Sequence, residues 1–202
     1  MANRILVKRS KVFVTDNVRA VFPHLAETDR FGKYSIDVDV LNDPALRQTI
    51  DEQAAGFLAQ AQQELGVSDQ PTNALFRQGE YKDEAFERVS FKMNATRKVK
   101  GTEVEQAPVV VDAKKAPVTE LVYGGSLVKV AYFFQFTKTP NGCFLSPKLK
   151  AVQVIEHVGP GGDTTTDTSF FGEEEGFESS GAPVEPTAPP APTAAPSQDF
   201  DF

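Results

Sequence analysis

From residue 126 to residue 136 the chain alternates with a period of two. Val128, Val130, Tyr132, Phe134 and Phe136 form one set, and Leu127, Lys129, Ala131, Phe133 and Gln135 form the other. Successive side chains of a strand point to opposite faces, so this run is a strand with one apolar face and one mixed face. The same period governs residues 33–41, where Tyr34, Ile36, Val38 and Val40 oppose Lys33, Ser35, Asp37 and Asp39. It returns in residues 88–95, where Val89, Phe91, Met93 and Ala95 oppose Arg88, Ser90, Lys92 and Asn94. Strands of this kind must bury their apolar faces against one another, and this requirement sets the architecture.

Other segments fill in around them. Residues 11–15 and 18–25 read as strands, with Pro23 marking an edge or a bulge because proline cannot donate to a ladder. Residues 108–112 form a short extended piece. Pro140-Asn141-Gly142 is a hairpin turn leading into residues 143–145 and 149–156. One helix is expected over Pro44–Leu65. Leu46, Ile50, Phe57, Leu58, Ala61 and Leu65 recur near helical spacing, Asn42 or Asp43 caps the start, and Gly66 stops the end. Residues 67–87 show no clear period, and residues 97–106 read as a charged loop. The chain is therefore mostly β with one long helix after the third strand. An oligonucleotide/oligosaccharide-binding (OB) type barrel fits this pattern: five strands in a Greek key, often with a helix between its third and fourth strands.

Charge divides the chain in two. The net charge of −7 averages opposite parts. Nine of the 28 acids lie from Asp163 onward, where there is no Lys or Arg; residues 1–162 hold all 21 basic residues against 19 acids. The body carries +2 and the tail −9, an asymmetry that points to a nucleic-acid or other partner. Residues 181–196 are rich in Pro, Ala and Thr and cannot bury enough apolar surface to offset their ordering entropy. The expected organisation is a folded domain over 1–162 and a disordered acidic tail over 163–202. One cysteine, Cys143, excludes an internal disulfide and suits a reducing compartment. The first ten residues lack the apolar run of a signal peptide, and no stretch approaches the length of a membrane span. A soluble protein of the cytoplasm, without a membrane partner, is expected.

Catalytic and metal chemistry find little support. Cys143, His24 and His157 are far apart, no HExxH, CxxC or GxxxxGK[ST] is present, and the body's acids are scattered. His24 reads as a core or edge residue of a strand and Cys143 as a small buried hydrophobe. A non-enzymatic protein without a cofactor is expected.

Basic residues interleaved with aromatics are the stronger signal. Arg4, Lys8, Arg9 and Lys11 precede the first acid. Arg88, Lys92, Arg97, Lys98 and Lys100 cluster around one strand and the loop after it. Residues 121–155 contain no acid at all but include Lys129, Lys138, Lys148 and Lys150. Proteins that bind single strands without sequence preference combine a cationic groove with aromatic stacking platforms. Parity puts Tyr132, Phe134, Phe136 and Phe91 in the core, whereas Phe133 shares the outer face with Lys129. The candidate contacts are Arg88, Lys92, Arg97, Lys98, Lys100, Lys129, Phe133, Lys148 and Lys150, with Tyr34 and Tyr81 on less apolar segments. In the tail, Asp199, Phe200, Asp201 and Phe202 look like a short linear binding motif on a tether, since exposed phenylalanines do not aid solubility.

These pieces together resemble the phage-encoded single-stranded-DNA-binding proteins. The likeness is carried by residues 108–112, by Tyr123-Gly-Gly-Ser-Leu-Val-Lys-Val-Ala-Tyr132, and by residues 142–155. A glycine-rich end and the Asp-Phe-Asp-Phe segment complete it. The resemblance implies a protein that coats single-stranded DNA in phage replication, recombination and repair, in the host cytoplasm. It implies a tail that recruits a DNA polymerase and a helicase–primase and competes for the DNA groove, and it allows a homodimer. The family brings no strict set of DNA-contacting residues, so the contacts above rest on charge and parity. The competing reading is an adaptor or structural protein whose β domain binds protein and whose tail solubilises.

Overall fold

The computed structural model describes residues 5–159, the side chain of Tyr81 excepted. The boundary expected at residue 162, the disordered tail over 163–202 and the motif Asp199–Phe202 lie outside the described residues. The strands in chain order are β1 (Leu6–Arg9), β2 (Phe13–Val14), β3 (Val18–His24) and β4 (Lys33–Asp39). After helix α1 (Pro44–Leu65) come β5 (Phe76–Tyr81), β6 (Glu84–Asn94), β7 (Thr96–Val99), β8 (Thr102–Glu105), β9 (Val109–Val111), β10 (Leu127–Thr139) and β11 (Gly142–Glu156).

Five of these close a barrel. β10 pairs antiparallel with β3, β3 with β4, and β4 with β6; β6 meets β11 in parallel, and β11 returns antiparallel to β10. This is the five-stranded OB Greek key. The interior is filled as the alternation requires: Val128, Val130, Tyr132, Phe134 and Phe136 are all at most 1% exposed, and Ile36, Val38, Val89 and Phe91 join them. The Phe91 and Tyr132 rings lie 4.6 Å apart, and Tyr132 meets Phe134 edge-on at 5.6 Å. Burying each such side chain contributes roughly 1.5–3 kcal/mol.

Helix α1 begins and ends as its sequence dictates. Asp43 accepts a hydrogen bond from the Leu46 N–H at 2.9 Å, Pro44 opens the first turn, and Gly66 takes the left-handed conformation at the C-cap. Its buried stripe is Leu46, Ile50, Ala54, Phe57 and Ala61; Phe57 stacks on Phe134, and Gln53 accepts a hydrogen bond from the Tyr132 hydroxyl at 2.7 Å. The helix does not stand between the third and fourth barrel strands, as the OB reading implied, but between the second and third, β4 and β6. The count shifts because β1 and β2 do not enter the barrel. β10 and β11 outrun it, and β1 and β2 cover the edge of β10 that β3 leaves open.

Two segments without a legible period are strands after all. β5 pairs with β6 along its whole length, and residues expected to be a charged loop form the hairpin β7–β8. That hairpin is exposed on both faces, so it has no apolar periodicity to read. Pro23 does mark a bulge: the β3–β4 register breaks between Val21 and His24, and Phe22 takes φ 45°. A second bulge lies in β11. Ala131 pairs with Ala151 but Tyr132 pairs with Leu149, leaving Lys150 as the extra residue. The inward set accordingly changes from Cys143, Leu145 and Leu149 to Val152 and Val154. Among the described residues no helix is long and apolar enough to cross a membrane.

Candidate nucleic-acid interface

The outer faces of β10, β11, β6 and β4 carry a row of cations across the sheet. Phe133 stands directly opposite Lys148, Lys148 opposite Lys92, and Lys92 opposite Ser35, two residues from Lys33. β1 adds Arg9 at the other end, its guanidinium 5.7 Å from the centre of the Phe133 ring. Adjacent strands lie about 4.8 Å apart, so the row from Arg9 to Lys33 crosses five strands in about 20 Å.

Two depressions meet on this row. The larger, about 850 Å³, is lined by Arg9, Lys92, Arg97, Lys98, Lys148 and Lys150 with Phe133, and by one acid, Glu103. The smaller, about 530 Å³, is lined by Lys33, Arg77, Arg88, Lys92 and Lys148 with Phe76, and, among the described residues, by no acid. Lys92, Asn94 and Lys148 belong to both, so the two form one continuous cationic track. The hairpin β7–β8 overhangs the first through Arg97 and Lys98, and the β11 bulge turns Lys150 into it.

The track's electrostatics are unusual for a sheet surface. Burial lowers the Lys148 ammonium below its ordinary value, and Lys33, Lys92 and Arg9 lower it further. Like charges directly opposite one another destabilise a sheet, yet two such pairs sit on β6: Lys92 against Lys148 and Arg88 against Arg77. Some cations elsewhere are matched. Lys8 pairs with Glu64, Arg47 with Glu87 at 2.8 Å, and Lys138 with Asp69 at 2.6 Å. Among the described residues none of Arg9, Lys33, Lys92 and Lys148 is in an ion pair. Asp29, at the turn into β4, feels Lys33 and Lys92 at a distance. Burial pushes its carboxyl up, but N–H bonds from Lys33 and Phe31 and these two charges hold it below its ordinary value. A groove of converging cations with an aromatic floor suits a flexible polyanion that also presents π-faces.

Of the residues named from sequence, Lys92, Arg97, Lys98, Phe133, Lys148 and Lys150 line the first depression and Arg88 the second. Lys129, Lys100 and Tyr34 line neither. Lys129 shares the outer face with Phe133 but lies four residues away, opposite Gln153; Lys100 sits in the β7–β8 turn; Tyr34 packs against the core. Tyr81 ends β5 opposite Glu84. Sequence reasoning missed Arg9, Lys33, Arg77 and Phe76 as site residues. Lys33 was legible as the outward residue beginning an alternating strand, and Arg9 as part of the basic N-terminal run.

No family model and no curated protein sequence matches the chain. Solved structures do. The single-stranded DNA-binding protein gp2.5 of bacteriophage T7 aligns with a TM-score of 0.57 and 24% identity, over 84% of this chain and 99% of that one. The single-stranded DNA-binding protein of bacteriophage Enc34 aligns with a TM-score of 0.50 and 21% identity, over 78% and 88%. Its complex with single-stranded DNA aligns with a TM-score of 0.54 and 19% identity, over 75% and 89%. The fold of this chain is the fold of these phage single-stranded-DNA-binding proteins.

Proposed function

We propose that this chain is a sequence-nonspecific single-stranded-DNA-binding protein of a phage, without enzymatic activity. The observation that carries the reading is the convergence of Arg9, Lys33, Lys92 and Lys148 beside Phe133 with no ion-pair partner among the described residues. Such a cluster lowers stability unless an anion occupies it. A phosphodiester chain neutralises it and offers a base to Phe133, worth about 1–3 kcal/mol per stacked base whatever its identity. The fold shared with the phage proteins, one of them solved with single-stranded DNA, supports the same reading.

The protein coats and protects single strands during replication and recombination. Its acidic residues 163–202 compete with DNA for the track. Asp199, Phe200, Asp201 and Phe202 dock on a replication partner, a DNA polymerase or helicase–primase, with the rings in an apolar pocket and the carboxylates on basic residues around it. The test is titration with oligo-dT at several salt concentrations. Affinity falls along a straight line in log–log form as salt rises, because each neutralised phosphate releases counterions. No binding at low salt, with or without residues 163–202, overturns the proposal.

A further inference from the structure

We infer that the β5–β6 hairpin, with Phe22 at the β3 bulge, forms a second nucleotide-binding platform of Arg77, Phe86, Arg88 and Phe22, which receives the strand as it leaves the four-cation groove. The inference rests on the proposed DNA-binding function and extends the second depression onto the Phe86 and Phe22 rings.

The platform is built in layers. Phe86 faces Gly79 across the ladder, and its ring lies so close that a Cβ at residue 79 would stand 2.6 Å from the ring's Cζ. Glycine here lets the ring lie flat on the strand. Over that ring stand two guanidiniums, Arg88 at 4.2 Å and Arg77 at 5.5 Å. They face each other directly across the ladder, a like-charge pair set on the rings, with Asp39 paired to Arg88 from the opposite strand. Arg88 also lies 5.2 Å from the Phe22 ring. Phe22 is half-exposed at the β3 bulge, in a left-handed conformation that bulky residues rarely adopt. Among the described residues the buried Arg88 Nε donates no hydrogen bond, and its ion pair with Asp39 is long, at 3.8 Å.

This arrangement has a chemical meaning. A guanidinium over an aromatic ring keeps its N–H donors for other partners, and the exposed Arg77 can offer them as a fork that matches phosphate. A half-exposed ring beside them offers a base a stacking face. Arg77 and Arg88 line the same depression as Lys92 and Lys148, so no barrier separates the platform from the groove. Along β6, four residues from Lys92 to Arg88 span about 13 Å. A short oligonucleotide can therefore occupy the groove alone, while a longer one reaches both.

The experiment compares oligo-dT of about 5 and about 15 nucleotides, within the range of OB site sizes, on Arg77→Ala, Arg77→Lys and Phe22→Ala variants of the full chain. Both positions are exposed. Expected for Phe22→Ala is a loss of about tenfold on the long oligomer and none on the short one, and for Arg77→Ala, which shares a depression with Lys92 and Lys148, a loss on the long oligomer well above that on the short one. Arg77→Ala should also flatten the salt slope by about 0.7. Arg77→Lys should restore the slope but not the full affinity, since an ammonium lacks the planar fork. Unchanged affinity for the long oligomer, or equal losses on both lengths, overturns the platform. Failure of the unmodified protein to bind either oligomer overturns the groove itself, which keeps the two readings separable.

Discussion

Replacing Lys148 with Met separates the cost of the cation cluster from its use. Met keeps most of the side-chain volume and removes the charge. Lys148 stands directly opposite Lys92, half-buried, with Lys33 and Arg9 also lowering its ammonium pKa. A like-charge pair directly opposite costs about 0.2–1 kcal/mol, and more than one neighbour acts here, so relief of about 1 kcal/mol is expected. For a domain of about 160 residues that raises Tm by about 2–4 °C. Binding moves the other way. A charge-assisted hydrogen bond to phosphate is worth about 1.5–3 kcal/mol, so affinity for oligo-dT should fall about 10- to 150-fold, and the salt slope should flatten by about 0.7. The pH dependence carries the same signature. The folded-state pKa of Lys148 lies below its ordinary 10.5, so the unfolded chain binds more protons between those two values. Stability of the DNA-free protein therefore rises with pH through that window, while DNA affinity falls as the ammonium is lost. Lys148→Met should abolish both trends. Thermal unfolding monitored by circular dichroism and fluorescence anisotropy of labelled oligo-dT measure the two effects. A destabilised variant, or one that binds DNA as well as the parent, refutes the reasoning.

Removing residues 163–202 should tighten oligo-dT binding, most at low salt, because a −9 competitor is lost; unchanged affinity in anisotropy would exclude competition by the tail. Phe202→Ala should leave oligo-dT affinity intact and weaken pull-down of the replication partner; weaker DNA binding instead would exclude a docking role. Phe133→Ala should cost about 1–3 kcal/mol of binding, while Lys129→Ala, outside both depressions, should change affinity little; equal losses would misplace the track. Tyr132 is pushed up to about 12 by burial and stays neutral in the fold, whereas the unfolded chain ionises near 10. Stability should therefore fall between pH 10 and 12, and Tyr132→Phe should remove that fall in alkaline unfolding while losing the bond to Gln53, worth about 1 kcal/mol.

The sequence by itself determined which faces are buried. A period of two leaves a strand only one way to bury its apolar side, so Val128 to Phe136, Ile36, Val38, Val89 and Phe91 were legible as core, and Phe133 as outward. Asn42 or Asp43, with Pro44 and Gly66, bounded the helix for equally local reasons. The separation of charge at residue 163 needed only counting. What the tertiary structure decided is which outward residues meet. Arg9, Lys33, Lys92 and Lys148 come from four strands far apart in the chain, and barrel closure alone places them in one row. Lys129 is a cation with the parity of Phe133 on β10, yet its register opposite Gln153 carries it out of the track. The β7–β8 hairpin was hidden because both its faces are exposed and it has no apolar period, and the Lys150 bulge and the place of α1 before the third barrel strand were hidden for another reason. Each of these two depends on which strands pair and in what register, and a local pattern does not encode that.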